Sequence, residues 1–378
     1  MLEKCLRDIA NILDVNIDEM NLGEPMFNDP KCIPRPFDKA NFSKFDPCDP
    51  AVRDSSKEPL RVAFVDGGNL EILRAPNFSV QLVRVYYNIF DQQNQRVMPK
   101  KIPPRMEFFV TAFARMIDGK MYYSGILHPM VDEQTDLLPS GEHLMMDAQD
   151  SKIAPAGIHA DISVMGDLTR RVAEWTLAGH VMHNELEEGD LMVRDGTLQT
   201  AVSNEKYYSR PAYDAADHKG VLLAGLAKTS NLFTTTGQSL VAAVHRLSHD
   251  SGLKESAWYY NPLADNNNPD HPAEMFMTKL HPGSKYVFRF EMYKPQAKAM
   301  EPENMTGLFR RLGHNSSDLS FLGYPYGLVE ADASARVTFH ESNGLKSLVN
   351  MTLSSMDCYD KISRQLQATN AHSVLDSI

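Results

Sequence analysis

Cysteine is scarce in this 378-residue chain: Cys5, Cys32, Cys48 and Cys358 are scattered, and no CxxC pair occurs. That excludes a fold built on disulfides or a zinc ribbon and leaves reduced, structural thiols as the expectation. Long apolar runs are missing as well, with no stretch of about 18 apolar residues to span a membrane. The opening MLEKCLRDIANIL places Leu2, Leu6, Ile9 and Leu13 at helical spacing among charges and lacks the apolar core of a signal peptide. A short amphipathic helix and a cytoplasmic location are expected. No GxxxxGKS/T or GxGxxG string is present, so any ATP hydrolysis would come from another protein. Positive charge is in deficit: the net charge of -11 excludes a wholesale basic surface. It does not exclude a nuclease, because carboxylates that hold metal ions lower the net charge. There is no internal repeat or low-complexity tract.

What is present begins with a proline-rich segment. Pro25, Pro30, Pro34, Pro36, Pro47, Pro50 and Pro59 are interleaved with Phe27, Phe37, Phe42 and Phe45, so the stretch is neither helix nor central strand, and its aromatics predict that it wraps over a folded body. Residues 1–59 read as an accessory arm and 60–378 as the main domain.

The chain is organised around LRVAFVDGGNL, residues 60–70. Its continuous apolar run suits a strand buried on both faces, with Asp66 where that strand leaves the core and Gly67 and Gly68 permitting a sharp turn and a close ligand approach. A plain solvated Asp-Gly turn is the competing reading. The pattern recurs in DLMVRDGTL, where a second short apolar strand ends in Asp195-Gly196. Between the two lie aromatic and branched runs at 80–90, 106–116 and 119–127, the last two joined at Asp118-Gly119 as a hairpin. A long helix is expected over 160–185, on which Ile162, Met165, Leu168, Val172, Trp175 and Leu177 recur at near-helical spacing. Further strands are expected at 221–227 and 285–293, helices at 238–249, 303–312 and 325–336, and loops at 261–272 and around Asp217-His218-Lys219.

In order, this is an acid on a first central strand, antiparallel strands, a helix carrying Glu174, a strand ending in Asp195 and a late helix carrying Asp332. Acids converging from strand ends and facing helices bind hard divalent ions through oxygen. Two such ions roughly 3.5 to 4 Å apart activate water and stabilise the leaving oxygen of a phosphodiester. The expected fold is α/β, an RNase H-like core whose mixed sheet, antiparallel first and then parallel, is flanked by helices. An actin-like kinase shares the order of strands and helix, but the chain lacks a convincing Gly-rich adenosine motif.

VAFVDGGNL, LTRRVAEW, MVRDGTL, LAGLAKTS and GYPYGLVEADASARV together, in order from about Leu60 to Val337, resemble the NurA nucleases. The resemblance implies a deoxyribonuclease with 5′-to-3′ exonuclease and single-strand endonuclease action, dependent on Mn2+ or Mg2+ with two ions per site. It also implies a homodimer that works with a HerA-type hexameric ATPase in DNA end processing or defence. It carries the metal ligands onto Asp66, Glu174, Asp195 and Asp332, and a conserved tyrosine onto Tyr324. At position 332 many relatives have histidine, so an imidazole acid or base is lost there. The residues alone leave alternatives open. Glu174 stands one turn from Arg170 and next to the Arg171 side chain, where it could form a surface pair instead of ligating metal, and Glu185, Glu187, Glu188 or Asp190 could supply that ligand. Lys228, Arg170 and Arg171 could contact phosphate, while Lys228 could equally be a strand-end lysine facing water. His180 with His183, and His245 with His249, read as ordinary surface or amphipathic residues, and Glu330 points away from Asp332. A subunit that clamps DNA without cutting it is the alternative function.

Overall fold

Strand alternation decides which residues can meet at the centre of this protein. The computed structural model describes residues 1–17, 21–47, 61–154, 158–200 and 202–366. Cys48, Pro50, Pro59, Leu60 and the tail beyond Leu366 lie outside them. A 12-stranded mixed sheet forms the middle layer. Its principal elements are β1 (Arg61–Ala75), β2 (Phe78–Asp91), β3 (Arg105–Ile117), β4 (Lys120–Pro129), β5 (Met145–Asp147), α1 (Val164–Asn184), β6 (Leu191–Asp195), α2 (Lys206–Lys219), β7 (Leu222–Ala227), α3 (Leu240–Asp250), β8 (Ala257–Tyr260), β9 (Ala273–Lys279), β10 (Phe288–Tyr293), α4 (Pro302–Asn315), α5 (Tyr326–Ala335) and α6 (Phe339–Ser354). The spatial order at the centre is β3-β2-β1-β6-β7. β2 runs antiparallel to β1 and to β3, while β1, β6 and β7 are mutually parallel. With α1 leading into β6 and α2 crossing from β6 to β7, this is the RNase H-like arrangement. Beyond β7 the sheet continues antiparallel through β10, β9 and β8.

Successive side chains of β1 enter different cores. Ala63 and Val65 pack with Val172, Ala173 and Trp175 of α1, whereas Val62 and Phe64 pack with Leu308 and Phe309 of α4 and Leu328 of α5. A run apolar on both sides is what a strand between two helical layers needs. Asp118 and Gly119 both have positive φ, 49° and 76°, which is the hairpin backbone that their sequence predicts between β3 and β4.

The proline-rich segment does lie against the body. Phe42–Phe45 pairs with β8 as the outermost strand, and the Phe42 ring meets Trp258 and Tyr260 at 5.0 and 4.8 Å. The helix Leu2–Asn16 buries none of its residues.

Three expectations change. The Asp217-His218-Lys219 loop is instead the last turn of α2, closed by Gly220 at φ 65°; Pro211 inside that helix and its sparse apolar positions hide the pattern. Residues 261–272 contain a short strand, Ala264–Asn266, paired with Cys32–Pro34. Most informatively, β1 does not turn at Gly67-Gly68 but runs on paired to β2 as far as Ala75. These glycines serve close packing. A Cβ on Gly67 would stand 2.8 Å from Glu174 Oε1 on the α1 side, and one on Gly68 would stand 2.5 Å from the Ala335 carbonyl oxygen at the end of α5.

Because the Ala335 carbonyl belongs to helix backbone, α5 must shift to admit a methyl group at Gly68. Gly68→Ala is expected to destabilise the protein by about 1–3 kcal/mol through overpacking, read as a lower urea midpoint at unchanged slope.

Candidate metal centre

The alternation that divides the cores also selects the charges. Asp66 follows Phe64, Asp195 follows Val193, and Lys228 follows Leu226, each two residues on, so all three leave adjacent parallel strands on the face that carries α5. From above, α5 brings Asp332. One carboxylate oxygen from each of Asp66, Asp195 and Asp332 lies within 4.8 Å of the others. The Lys228 ammonium stands among them, 2.5 Å from Asp195 Oδ2, 2.8 Å from Asp332 Oδ1 and 3.5 Å from Asp66 Oδ2. Arg336 also pairs with Asp332. The Tyr324 ring lies below, its centroid 5.9 Å from the ammonium nitrogen. Its buried hydroxyl feels Asp195 but meets no partner at hydrogen-bonding geometry.

Burial pushes the Asp66 carboxyl up to about 8, with Asp195 and Glu174 adding to the shift and Lys228 opposing it. Burial would lower Lys228, but Asp195 and Asp66 outweigh it and hold the lysine above its usual range. For Asp332 burial is outweighed by Lys228 and Arg336, which lower it. Tyr324 is raised by burial and then by Asp195, Asp66 and Asp332. Lys228 and Arg336 thus match the charges of Asp195 and Asp332, and burial disfavours a further charge on Asp66 unless another cation joins the cluster. Three carboxylate donors at the edge of a half-open cleft of about 450 Å3 fit a hard divalent cation.

Glu174 takes a different place. It sits on the α1 side of the sheet, fully buried, with Oε1 accepting from Arg170 at 2.5 Å and Oε2 from Arg194 at 2.7 Å. Its charge reaches Asp66, and it lines the same cleft, but it is outside the cluster of three. Arg170 therefore stands at the cleft wall already paired. Arg171 bonds Glu205 at 2.8 Å and the Gln199 carbonyl at 3.0 Å, tying α1 to the segment after Asp195. Of the other acids raised as alternatives to Glu174, Glu185 accepts the backbone N–H groups of residues 100–102 and Asp190 holds Arg61, while Glu187 and Glu188 are exposed. Glu330 pairs with Arg96 at 2.5 Å.

Two supporting residues are not among the sequence candidates. Arg194, one residue before Asp195, points to the opposite face, where it stacks 4.6 Å over Trp175, pairs with Glu174 and bonds the Thr197 carbonyl at 2.7 Å. Strict alternation along MVRD is the signal that could have found it. Glu291 of β10 is fully buried and accepts from Leu198 N at 2.7 Å and His271 Nε2 at 2.8 Å, so it fixes the turn that follows Asp195. Burial alone would raise this acid, but Arg289, His271 and the Leu198 N–H outweigh it and hold it at about 2.

Two measurements follow. Lys228→Met removes a cation from the position a divalent ion would take, and unit charges 4 Å apart at an effective dielectric of 20 interact by about 4 kcal/mol. Binding of Mn2+, titrated by electron paramagnetic resonance, is expected to tighten by about tenfold or more, and unchanged affinity would show that the ammonium does not compete. For Glu291 the folded value lies below the unfolded one, so its contribution is complete above about pH 4.5 and fades as pH falls toward 2. The stability gap between wild type and Glu291→Gln in urea should narrow across that window.

No family model matches the chain, and no curated protein matches it by sequence. Among solved structures it is similar to the catalytic domain of human Endonuclease V, at 11% identity and TM-score 0.35 over 81% of this chain and 93% of that one. It is similar also to Ciona intestinalis Endonuclease V in complex with a 24mer DNA containing an inosine followed by a ribo-adenosine, at 10% identity and TM-score 0.34 over 78% and 89%. The A. aeolicus Argonaute aligns at 10% identity and TM-score 0.30, covering 78% of this chain and 29% of that one. None of these three is a NurA protein, and likeness this distant carries no argument about activity, which rests on the geometry of the site.

Proposed function

We propose that this chain is a metal-dependent nuclease that hydrolyses phosphodiester bonds in DNA. The observation that carries the reading is the convergence of Asp66, Asp195 and Asp332 on one face of the sheet, where the parallel pairing of β1 with β6 ends, with their nearest oxygens inside 4.8 Å. These residues would hold Mn2+ or Mg2+, two ions in the finer form of the proposal. Bound there, such ions supply activation of water and neutralisation of charge on the leaving oxygen.

The chain's own groups supply the rest. Lys228, with 37% of its side chain exposed and a flexible stem, can swing from the carboxylates to a phosphate oxygen. Arg170 presents a guanidinium beside the same cleft, and Arg171 keeps the loop after Asp195 in register with α1. Tyr324 supplies a buried wall that holds Lys228 and Asp195 apart from the core below. Glu174 would join the ligands only by releasing an arginine.

The resemblance in five ordered motif strings extends the proposal to 5′-to-3′ exonuclease and single-strand endonuclease action, a homodimer, a HerA-type ATPase partner and a cytoplasmic setting, with residues 1–59 as an arm on a nuclease body at 60–378. One observation favours a second reading, a DNA clamp without cleavage: both Glu174 oxygens are committed to arginines. Among the described residues no helix is long and apolar enough to cross a membrane.

Labelled single- and double-stranded DNA incubated with Mn2+ or Mg2+ separates the readings. Wild type is expected to cut, and Asp66→Asn to cut at least ~100-fold more slowly, the scale on which loss of a catalytic group acts, while unfolding within a few degrees of wild type. Cleavage retained by Asp66→Asn would sink the assignment; DNA binding without cleavage in wild type would establish the clamp.

A further inference from the structure

Cations around the metal cleft are largely committed. Arg170 and Arg194 pair with Glu174, Arg171 with Glu205, and Lys228 and Arg336 with Asp332. A strand of nucleic acid leaving the cleft needs positive charge that is not already neutralised, since phosphate contacts are what position it. Such charge occurs at the start of α2. Lys206 has only a cation–π contact, its ammonium 5.6 Å from the Tyr207 ring centroid, and Arg210, one turn on, has no carboxylate within ion-pair distance among the described residues. Both are exposed.

Tyr207 stands beside them, 48% exposed, with its ring stacked on His143 at 3.9 Å between centroids and 14° between planes. An aromatic stack open to solvent and flanked by cations is what a nucleobase extends in single-strand binding. Next to it opens a cavity of about 730 Å3, floored by the Tyr213 and Tyr293 rings at 4.8 Å from each other and edged by Thr200, Arg210 and Asp270. The volume is that of a small-molecule site, and Asp270 offers an acceptor for an exocyclic amine.

Chain geometry brings the two openings together. Thr197 lines the metal cleft and Thr200 lines this cavity. Three residues span at most ~10 Å, so the rims of cleft and cavity lie near each other along this segment. We infer that the cavity beside Tyr207 is a nucleotide subsite of the substrate strand, taking one base at a fixed number of nucleotides from the cut, with the flanking phosphates on Lys206 and Arg210. The inference rests on the nuclease reading and adds to it a second, base-sensing contact.

The test is binding of the full-length protein, in chelator, to fluorescent single-stranded DNA in which one abasic site is stepped along the strand. Affinity is expected to fall about tenfold when the abasic site occupies one or two adjacent positions, and little elsewhere. Tyr207→Ala should flatten that profile while Tyr207→Phe keeps it, and Lys206→Ala with Arg210→Ala should reduce the salt slope by about two. Tyr207, Lys206 and Arg210 are surface residues, so matching thermal unfolding confirms that the variants are folded. Free mononucleotide that competes at the same concentration as the strand would overturn assignment to the substrate strand. A flat abasic profile alongside cleavage that Asp66→Asn abolishes would overturn the subsite and leave the nuclease standing. Absence of both binding and cleavage would remove the nuclease reading, and the subsite with it.

Discussion

Three carboxylates do not share a half-buried space unless something positive stands among them. In this protein the Lys228 ammonium fills that role, contacting all three acids from the end of β7. The surrounding architecture follows from the need to bring those groups together. Parallel pairing of β1, β6 and β7 lines up Asp66, Asp195 and Lys228, α5 is packed on the same face, and Arg336 takes up the outer oxygen of Asp332. Such a cluster is a poor source of stability by itself, because desolvation of each charge offsets most of the attraction between them. Its persistence in the fold is better understood as a binding arrangement kept intact by a movable internal cation.

The two sides of the sheet contribute differently. On the α5 side charges converge and remain partly open, while on the α1 side two sets of ion pairs, Arg170–Glu174–Arg194 and Arg171–Glu205, meet at Trp175, which lies under Arg194 and donates to Glu205. The first set is available to a ligand. The second makes the first rigid, and Glu291 adds a further anchor at Leu198.

Much of this was legible in the residues, and the reason is period-two alternation. An apolar run leading to Asp66 and another leading to Asp195 read as buried strands whose acids could share one site, and the structure pairs them directly. Lys228 at the end of VLLAGLA belonged to the same pattern, which left open whether it faced water; a neighbouring strand's acid, invisible in sequence, decides that. Glu174 was ambiguous for a physical reason, since the same helix spacing that aims it at the sheet also puts Arg170 within reach. The structure realises the ion pair and keeps the glutamate near the cleft. The turn expected at Gly67-Gly68 failed because glycine also marks close packing, and only the approach of Glu174 and of the Ala335 carbonyl distinguishes the two. Helix α2, broken in pattern by Pro211, and the network around Glu291 depend on long-range pairing that no local period encodes.

The bare stretch at Gly67 and Gly68 acts as a window in the wall between two rooms. Along β1 the side chains of Val62 to Val65 separate the α1 core from the α4–α5 core, but at these two consecutive residues each helix layer rests directly on the backbone, one from either direction. Through these two residues the Arg170 and Glu174 side chains and the end of the helix that carries Asp332 meet a single peptide unit from opposite sides, so the acid next to the cluster and the helix that completes it share one point of support.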